Sequence, residues 1–324
     1  MRLHRIKVSG HTTVYHCISR IVGGQRLLDD LGKEVLTQMM WRQAQFCGLE
    51  ILTFCMMSSH FHILVRVPQG SAPTDSELLQ RLEAYYGAQG TLVRVARQSL
   101  ESQGALDGTL RQGLLLRMGD VSVFMKELKQ GFSRWYNRVH ERFGTLWSER
   151  FKSLVVEDEP QAVLTVSSYI DLNPVRGSKV KDPKDYRFSG YGAAVGGEKK
   201  AQAGLMSIHK PGQSWSEVGA QYRQRLYVRA GVSGASDKAV VASEEIQAVM
   251  RAGGQMGMGQ VLLMRIRYMT DGVVLGSRKY VNQVYALHRE KFGERRKSGA
   301  RPIRGIDLGG LTVLRDLRVR VWGS

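Results

Sequence analysis

The spacing of apolar residues divides the first half of the chain into strands and helices. Thr13-Val14-Tyr15-His16-Cys17-Ile18-Ser19 alternates with period two, as a half-buried strand does. Over 25–46 the apolar residues Leu27, Leu28, Leu31, Val35, Leu36, Met39 and Met40 recur at helical spacing. Strands follow at 49–57 and 60–67, and the tight Ser58-Ser59 turn between them predicts an antiparallel hairpin. Residues 74–118 are polar and mostly helical, an insertion of one or two helices. Asp120 caps a helix over 122–140 that buries Val123, Phe124, Leu128, Phe132 and Trp135, and a strand over 147–156 comes next. Asp158-Glu159-Pro160 then starts a last helix, with Val163, Val166 and Ile170 as its buried stripe. The order β-α-β-β-α-β predicts an α+β, ferredoxin-like (RRM-like) antiparallel sheet with helices on one face and the other face open.

This pattern assigns 1–195 to one domain. A polar, glycine-containing stretch over 196–212 marks the boundary, and 196–324 reads as a mainly helical C-terminal region. Helices are predicted at 215–230, 243–251 and 277–292, the last capped by Ser277, with a terminal strand over 311–321. The basic, glycine-containing run over 291–301 suits phosphate contacts, so this region is expected to bind a phosphate-bearing partner or to be a structural extension.

Two segments carry candidate chemistry. In Ser59-His60-Phe61-His62-Ile63-Leu64-Val65 the side chains alternate, so His60 and His62 share the face opposite Phe61 and Ile63. Two neutral imidazoles so placed could share a divalent cation, or be two polar residues on a solvated face. In Ser168-Tyr169-Ile170-Asp171-Leu172-Asn173-Pro174-Val175-Arg176, Thr165, Tyr169 and Asn173 form a stripe, because residues four apart differ by only about 40° around a helix. Pro174 disfavours helical geometry at Asn173 and predicts the helix end there, with Asn173 as its cap in the plainer reading. A cation held by His60, His62 and the Asn173 amide oxygen would polarise a phosphate for attack by the Tyr169 phenol. A tyrosine nucleophile conserves the phosphodiester energy in a covalent link, which fits strand transfer better than degradation.

These motifs, together with LKQGFSRWYNRVHERFGTLWSERFKSLVVED between them, resemble the single-tyrosine HUH transposases, and more closely the REP-associated tyrosine transposases. The resemblance spans about 13–191, with the motifs in the family's order. It implies a DNA transposase in which His60 and His62 are metal ligands, Asn173 stands where the third ligand sits and Tyr169 is the nucleophile. It also implies Mg²⁺ or Mn²⁺, a single-stranded DNA substrate with a REP-like hairpin, and a 5′-phosphotyrosine intermediate with a free 3′-OH. Monomer and homodimer are both open. Tyr136 is a rival tyrosine, read as structural or DNA-contacting.

Charge agrees with a polyanionic partner: the net charge is +18 and the pI about 10.0. Lys126, Lys129, Arg134 and Arg138 on one helix, Arg150 and Lys152 on the next strand, and Arg176 beyond the Tyr169 helix are the candidate DNA contacts. No apolar run marks a membrane span or signal peptide, and Cys17, Cys47 and Cys55 show no paired spacing, which predicts a cytoplasmic, nucleoid-associated bacterial protein. Two other function classes remain open: a domesticated, regulatory DNA-binding protein, and a noncatalytic RNA-binding module of the RRM type, which would carry aromatics where this strand carries histidines.

Overall fold

The computed structural model describes residues 6–8, 10–228, 267–303 and 308–315, with backbone alone at 227, 228 and 267. The helix expected over 243–251 and most of the end of the strand expected over 311–321 lie outside these residues. The fold is α+β. Strands β1 (Thr13–Arg20), β2 (Glu50–Met56), β3 (His60–Val67) and β4 (Lys152–Val156) lie side by side in the order β2-β3-β1-β4, every neighbour antiparallel. The predicted hairpin is present, closed by Met57 N–H donating to the His60 carbonyl at 2.8 Å.

The C-terminal region is mainly helical among the described residues, as expected, and it also adds strands to the sheet. Three short strands, β5 (Val274–Gly276), β6 (Arg301–Pro302) and β7 (Thr312–Leu314), continue the same sheet to seven strands in the order β2-β3-β1-β4-β5-β7-β6. β5 runs parallel to β4, pairing Val155 with Val274 and Val156 with Leu275. β7 falls inside the strand expected over 311–321, whereas β5 and β6, of three and two residues, show too little periodicity to be read in a sequence.

One sheet face is covered by α1 (Asp30–Cys47) and α5 (Val121–Val139). Phe61 of β3 meets Trp147, whose ring lies 5.9 Å from Phe132 of α5, while Trp41 of α1 packs on Phe54 of β2. α1 starts later than the 25–46 pattern suggests. Asp29 caps it by accepting from Gly32 N–H, and Leu28 N–H is taken by the Ser58 carbonyl, so Leu27 and Leu28 pack from an extended segment. The insertion forms α2 (Asp75–Tyr86), α3 (Thr91–Gln103) and α4 (Gly108–Leu115), docked beside α1.

The opposite face was expected to be open, and it is covered. α6 (Pro160–Asp171) lies over β2 and β3, followed by α7 (Asn173–Arg176), α8 (Gly190–Val195), α9 (Lys199–Met206) and α10 (Trp215–Val228). Gly190 and Gly204 permit this: a Cβ on either would collide with Thr53 or with the Ile51 carbonyl of β2. Farther along come α11 (Arg267–Asp271) and α12 (Arg278–Leu287), the latter capped by Ser277 as the sequence predicts. No helix among the described residues is long and apolar enough to cross a membrane. The three cysteines are buried thiols.

Because β5 completes a shared sheet, Leu275→Ala (0 % exposed) should cost about 2–5 kcal/mol in urea unfolding. The transition should shift as a single step; a second, separate step would place the C-terminal strands in an independent unit.

Candidate active site

The register puts three histidines on one face. Arg20 pairs with His60, Ile18 with His62 and His16 with Leu64, and directly opposed residues point the same way. His16 Nε2 and His62 Nδ1 lie 2.8 Å apart with the rings stacked, and the His60 ring stands edge-on to His62 with centroids 5.2 Å apart. His60 Nδ1 is 3.1 Å from Ser59 Oγ. His16 carries no motif spacing relative to the later histidines, and sequence reasoning missed it; the one available signal was its polar position in an otherwise apolar strand.

Tyr169 comes down onto these rings from α6. Its ring lies 6.2 Å from His16 and 6.2 Å from His62, edge-on to both. The sequence-derived helix is correct, but its end is not a simple stop. α6 ends at Asp171, Leu172 joins the two helices with helical backbone angles, and Asn173 starts α7, with Pro174 in its first turn, where a missing N–H costs nothing. Asn173 is buried beside the turn, at 8 % exposure. Arg176 does not project outward as a DNA contact. Its guanidinium sits 4.0 Å from the Tyr169 ring centroid and donates to the Tyr169 carbonyl at 2.6 Å.

Sequence reasoning also missed Asp171, whose partners are far away in the chain. Its carboxylate accepts from Thr53 Oγ1 of β2 (2.9 and 3.0 Å), from Tyr191 N–H of α8 (3.0 Å) and from Tyr222 Oη of α10 (2.7 Å). Arg225 of α10 adds bonds to Ser168 Oγ and Thr165 Oγ1, both at 3.2 Å. The Tyr169 helix is therefore gripped from both sides.

Burial dominates the electrostatics. It lowers the His16 pKa to about 3 and holds His62 well below its ordinary value, so both imidazoles are neutral. Burial raises Asp171 to about 7 against the pull of its three donors, and raises the Cys55 thiol, the cross-strand neighbour of His62. Neutral imidazoles are the ligand form of histidine. With the Nδ1 proton of His62 shared with His16 and that of His60 with Ser59, both Nε2 atoms would keep lone pairs, the arrangement that outer partners impose on metal-bound histidines. The donor set fits a divalent cation in this respect. Among the described residues no three of His, Cys, Asp and Glu gather to hold a metal by themselves, so any third ligand would be of another type.

The remaining predicted residues separate. Lys126, Lys129, Arg134 and Arg150 line one groove of ≈800 Å³ between α5 and the 144–151 segment, on the other side of the sheet from Tyr169. Within it Lys129 is committed to structure, donating to the Glu149 carbonyl over the Trp147 ring. Arg138 is exposed at the end of α5, outside the groove. Lys152 lies on the histidine face, across β1 from His62, and pairs with Asp271 at 3.0 Å. Only from Lys152 onward does the segment expected as a strand over 147–156 pair continuously; Trp147 makes a single bridge to Ile21. Tyr136, the rival tyrosine, is buried on the α1 and α5 side and donates to the Leu27 carbonyl.

These shifts fix a pH dependence. The histidines favour the neutral form in the fold, so their contribution is complete above 6.5 and lost as pH falls toward the folded values. Asp171 favours the protonated form, so its contribution is greatest at low pH and lost as pH rises from 3.8 through about 7. Between 3.8 and 6.5 the carboxyl opposes the imidazoles. Asp171→Asn should therefore make Tm fall more steeply on acidification across this window in a thermal-shift series. Equal slopes would remove Asp171 as the compensating group.

No family model and no curated protein matches the chain. Among solved structures the chain is similar to a REP-associated tyrosine transposase bound to a REP hairpin, at 15 % identity and a TM-score of 0.36, over 66 % of this chain and 92 % of that one.

Proposed function

We propose that this protein is a DNA transposase that cleaves and rejoins single-stranded DNA beside a hairpin, with Tyr169 as nucleophile and a ferredoxin-like core as its frame. The observation that carries the reading is the Tyr169 ring resting on His62 and His16, from a helix whose sequence already resembles that family. Mg²⁺ or Mn²⁺ on His60, His62 and Asn173 would supply Lewis acidity at a phosphate oxygen. Tyr169 Oη would form a bond to phosphorus as the P–O3′ bond breaks. The phenol gives up its proton and the departing 3′-oxygen takes one up, leaving a 5′-phosphotyrosine and a free 3′-OH. Arg176, held against the ring, places positive charge where the phenol oxygen becomes an anion. His16 orients His62, and Asp171 keeps the α6 backbone over β2.

A second reading has its own support. Tyr169 and His62 are each only 2 % exposed, which suits a regulatory DNA-binding protein whose site stays closed. The RNA-binding alternative is disfavoured, since such modules read bases on an open sheet face and α6 lies across this one.

Incubation with labelled hairpin-bearing single strands and Mn²⁺ or Mg²⁺ should give a covalent protein–DNA adduct on denaturing gels. The adduct should be absent in Tyr169→Phe and without metal. Persistence in Tyr169→Phe would move the nucleophile elsewhere, and hairpin binding with no adduct would select the regulatory reading. His16→Ala should raise the metal concentration needed for half-maximal adduct by roughly 10- to 100-fold, the usual effect of losing an outer-sphere partner; an unchanged requirement would assign His16 to packing alone.

A further inference from the structure

The groove between α5 and the 144–151 segment is separate from the Tyr169 site and has a chemistry of its own. Its floor is apolar, formed by Met125, Leu146, Trp147 and Phe151. Its rim carries Lys126, Arg134 and Arg150, all exposed. Some arginines elsewhere are engaged: Arg66, Arg97, Arg111 and Arg117 each hold a carboxylate. Among the described residues Lys126, Arg134 and Arg150 make no ion pair, and the one acidic lining residue, Glu149, faces Lys152 at 3.7 Å. Three uncompensated cations around one groove form a local positive potential in a chain already at +18.

Beside Gly144, at the lip of this groove, stands Phe143, 96 % exposed. Its loop is not loosely held. Asn137 Nδ2 donates to the Gly144 carbonyl at 3.0 Å, Arg142 N–H donates to the Asn137 carbonyl at 2.9 Å, and Glu141 adopts a left-handed φ of 49°. A single exposed apolar ring is ordinary by itself; this one stands on a hydrogen-bonded turn beside a cationic groove, where an aromatic face can stack on a base. The groove also meets the sheet at the His60 end. Trp147 bridges Ile21 and Ser148 N–H donates to the Arg20 carbonyl, while Arg20 is paired with His60.

We infer that this groove is a docking track for single-stranded DNA, with phosphates on Lys126, Arg134 and Arg150 and one unpaired base stacked on Phe143. The inference rests on the DNA reading above and adds the state of the DNA at a second place on the molecule. An exposed phenyl face stacks on any unpaired base, whereas a duplex keeps its base faces covered. A strand leaving the groove at Trp147 would reach the sheet end where His60 lies.

The test is fluorescence anisotropy of the full chain with a labelled oligothymidylate, an equal-length duplex and oligouridylate, over a salt series. Phe143→Ala should weaken single-strand binding by roughly ten- to hundredfold and leave duplex binding unchanged. The triple variant Lys126→Ala, Arg134→Ala, Arg150→Ala should lower the salt slope by about 2, since each phosphate contact on a single strand contributes about 0.7. All four side chains are exposed, and an unchanged Tm would confirm intact folding. Wild-type affinity and slope in both variants would overturn the proposal, as would tighter binding of duplex or of oligouridylate than of oligothymidylate. Loss of binding in the groove variants, in a protein that forms no adduct, would support the groove and refute the Tyr169 chemistry alone.

Discussion

The Asp171 carboxylate holds the site together. A buried carboxylate is costly, and here three donors from three different elements meet it: Thr53 from β2, the Tyr191 amide from α8 and Tyr222 from α10. Asp171 is two residues from Tyr169 on α6, so whatever fixes its position also fixes the height and rotation of Tyr169 over the histidines. With a pKa of about 7, this grip is poised between a neutral and a charged form near neutrality. Arg176, at the end of α7, lies over the ring of the same Tyr169.

The two faces of the sheet divide the labour that the DNA reading requires. One face holds neutral, buried imidazoles and a phenol, groups suited to bonding a metal or a phosphorus atom. The other, beyond α5, offers a cationic groove and a projecting phenyl, suited to holding a strand without reacting with it. They meet at the end of β3 that begins with His60, because β1, β3 and the Trp147 segment converge there. Such separation lets binding and chemistry be altered independently, provided the sheet between them stays rigid. The additional strands β5, β7 and β6 serve that rigidity by covering the β4 edge, which would otherwise expose unpaired backbone groups.

Much of this could be read directly in the residues. The alternation of 13–19 and 60–67 and the helical stripes over 122–140 and around Tyr169 correspond to β1, β3, α5 and α6. The shared face of His60 and His62 followed from strand geometry alone, and the approach of Tyr169 followed from its resemblance to a family. The cationic residues were legible as a group, yet not as individuals: Arg176 and Lys129 turn inward onto aromatic rings, and Lys152 pairs with Asp271. Long flexible side chains take whichever partner the fold provides, so a one-dimensional pattern cannot assign them.

Local spacing by itself determined which segments form strands and helices, which histidines share a face and where the helix carrying Tyr169 begins. These depend on interactions within a few residues, through the periods of strand and helix. Tertiary structure alone decided that His16 stacks on His62, that Asp171 receives donors from residues 118, 20 and 51 positions away, and that the histidine face is covered instead of open. It also decided that strands of two and three residues from the far end of the chain extend the sheet. The physical reason is one of range: a buried polar group must find a partner, and which partner reaches it depends on how distant segments pack.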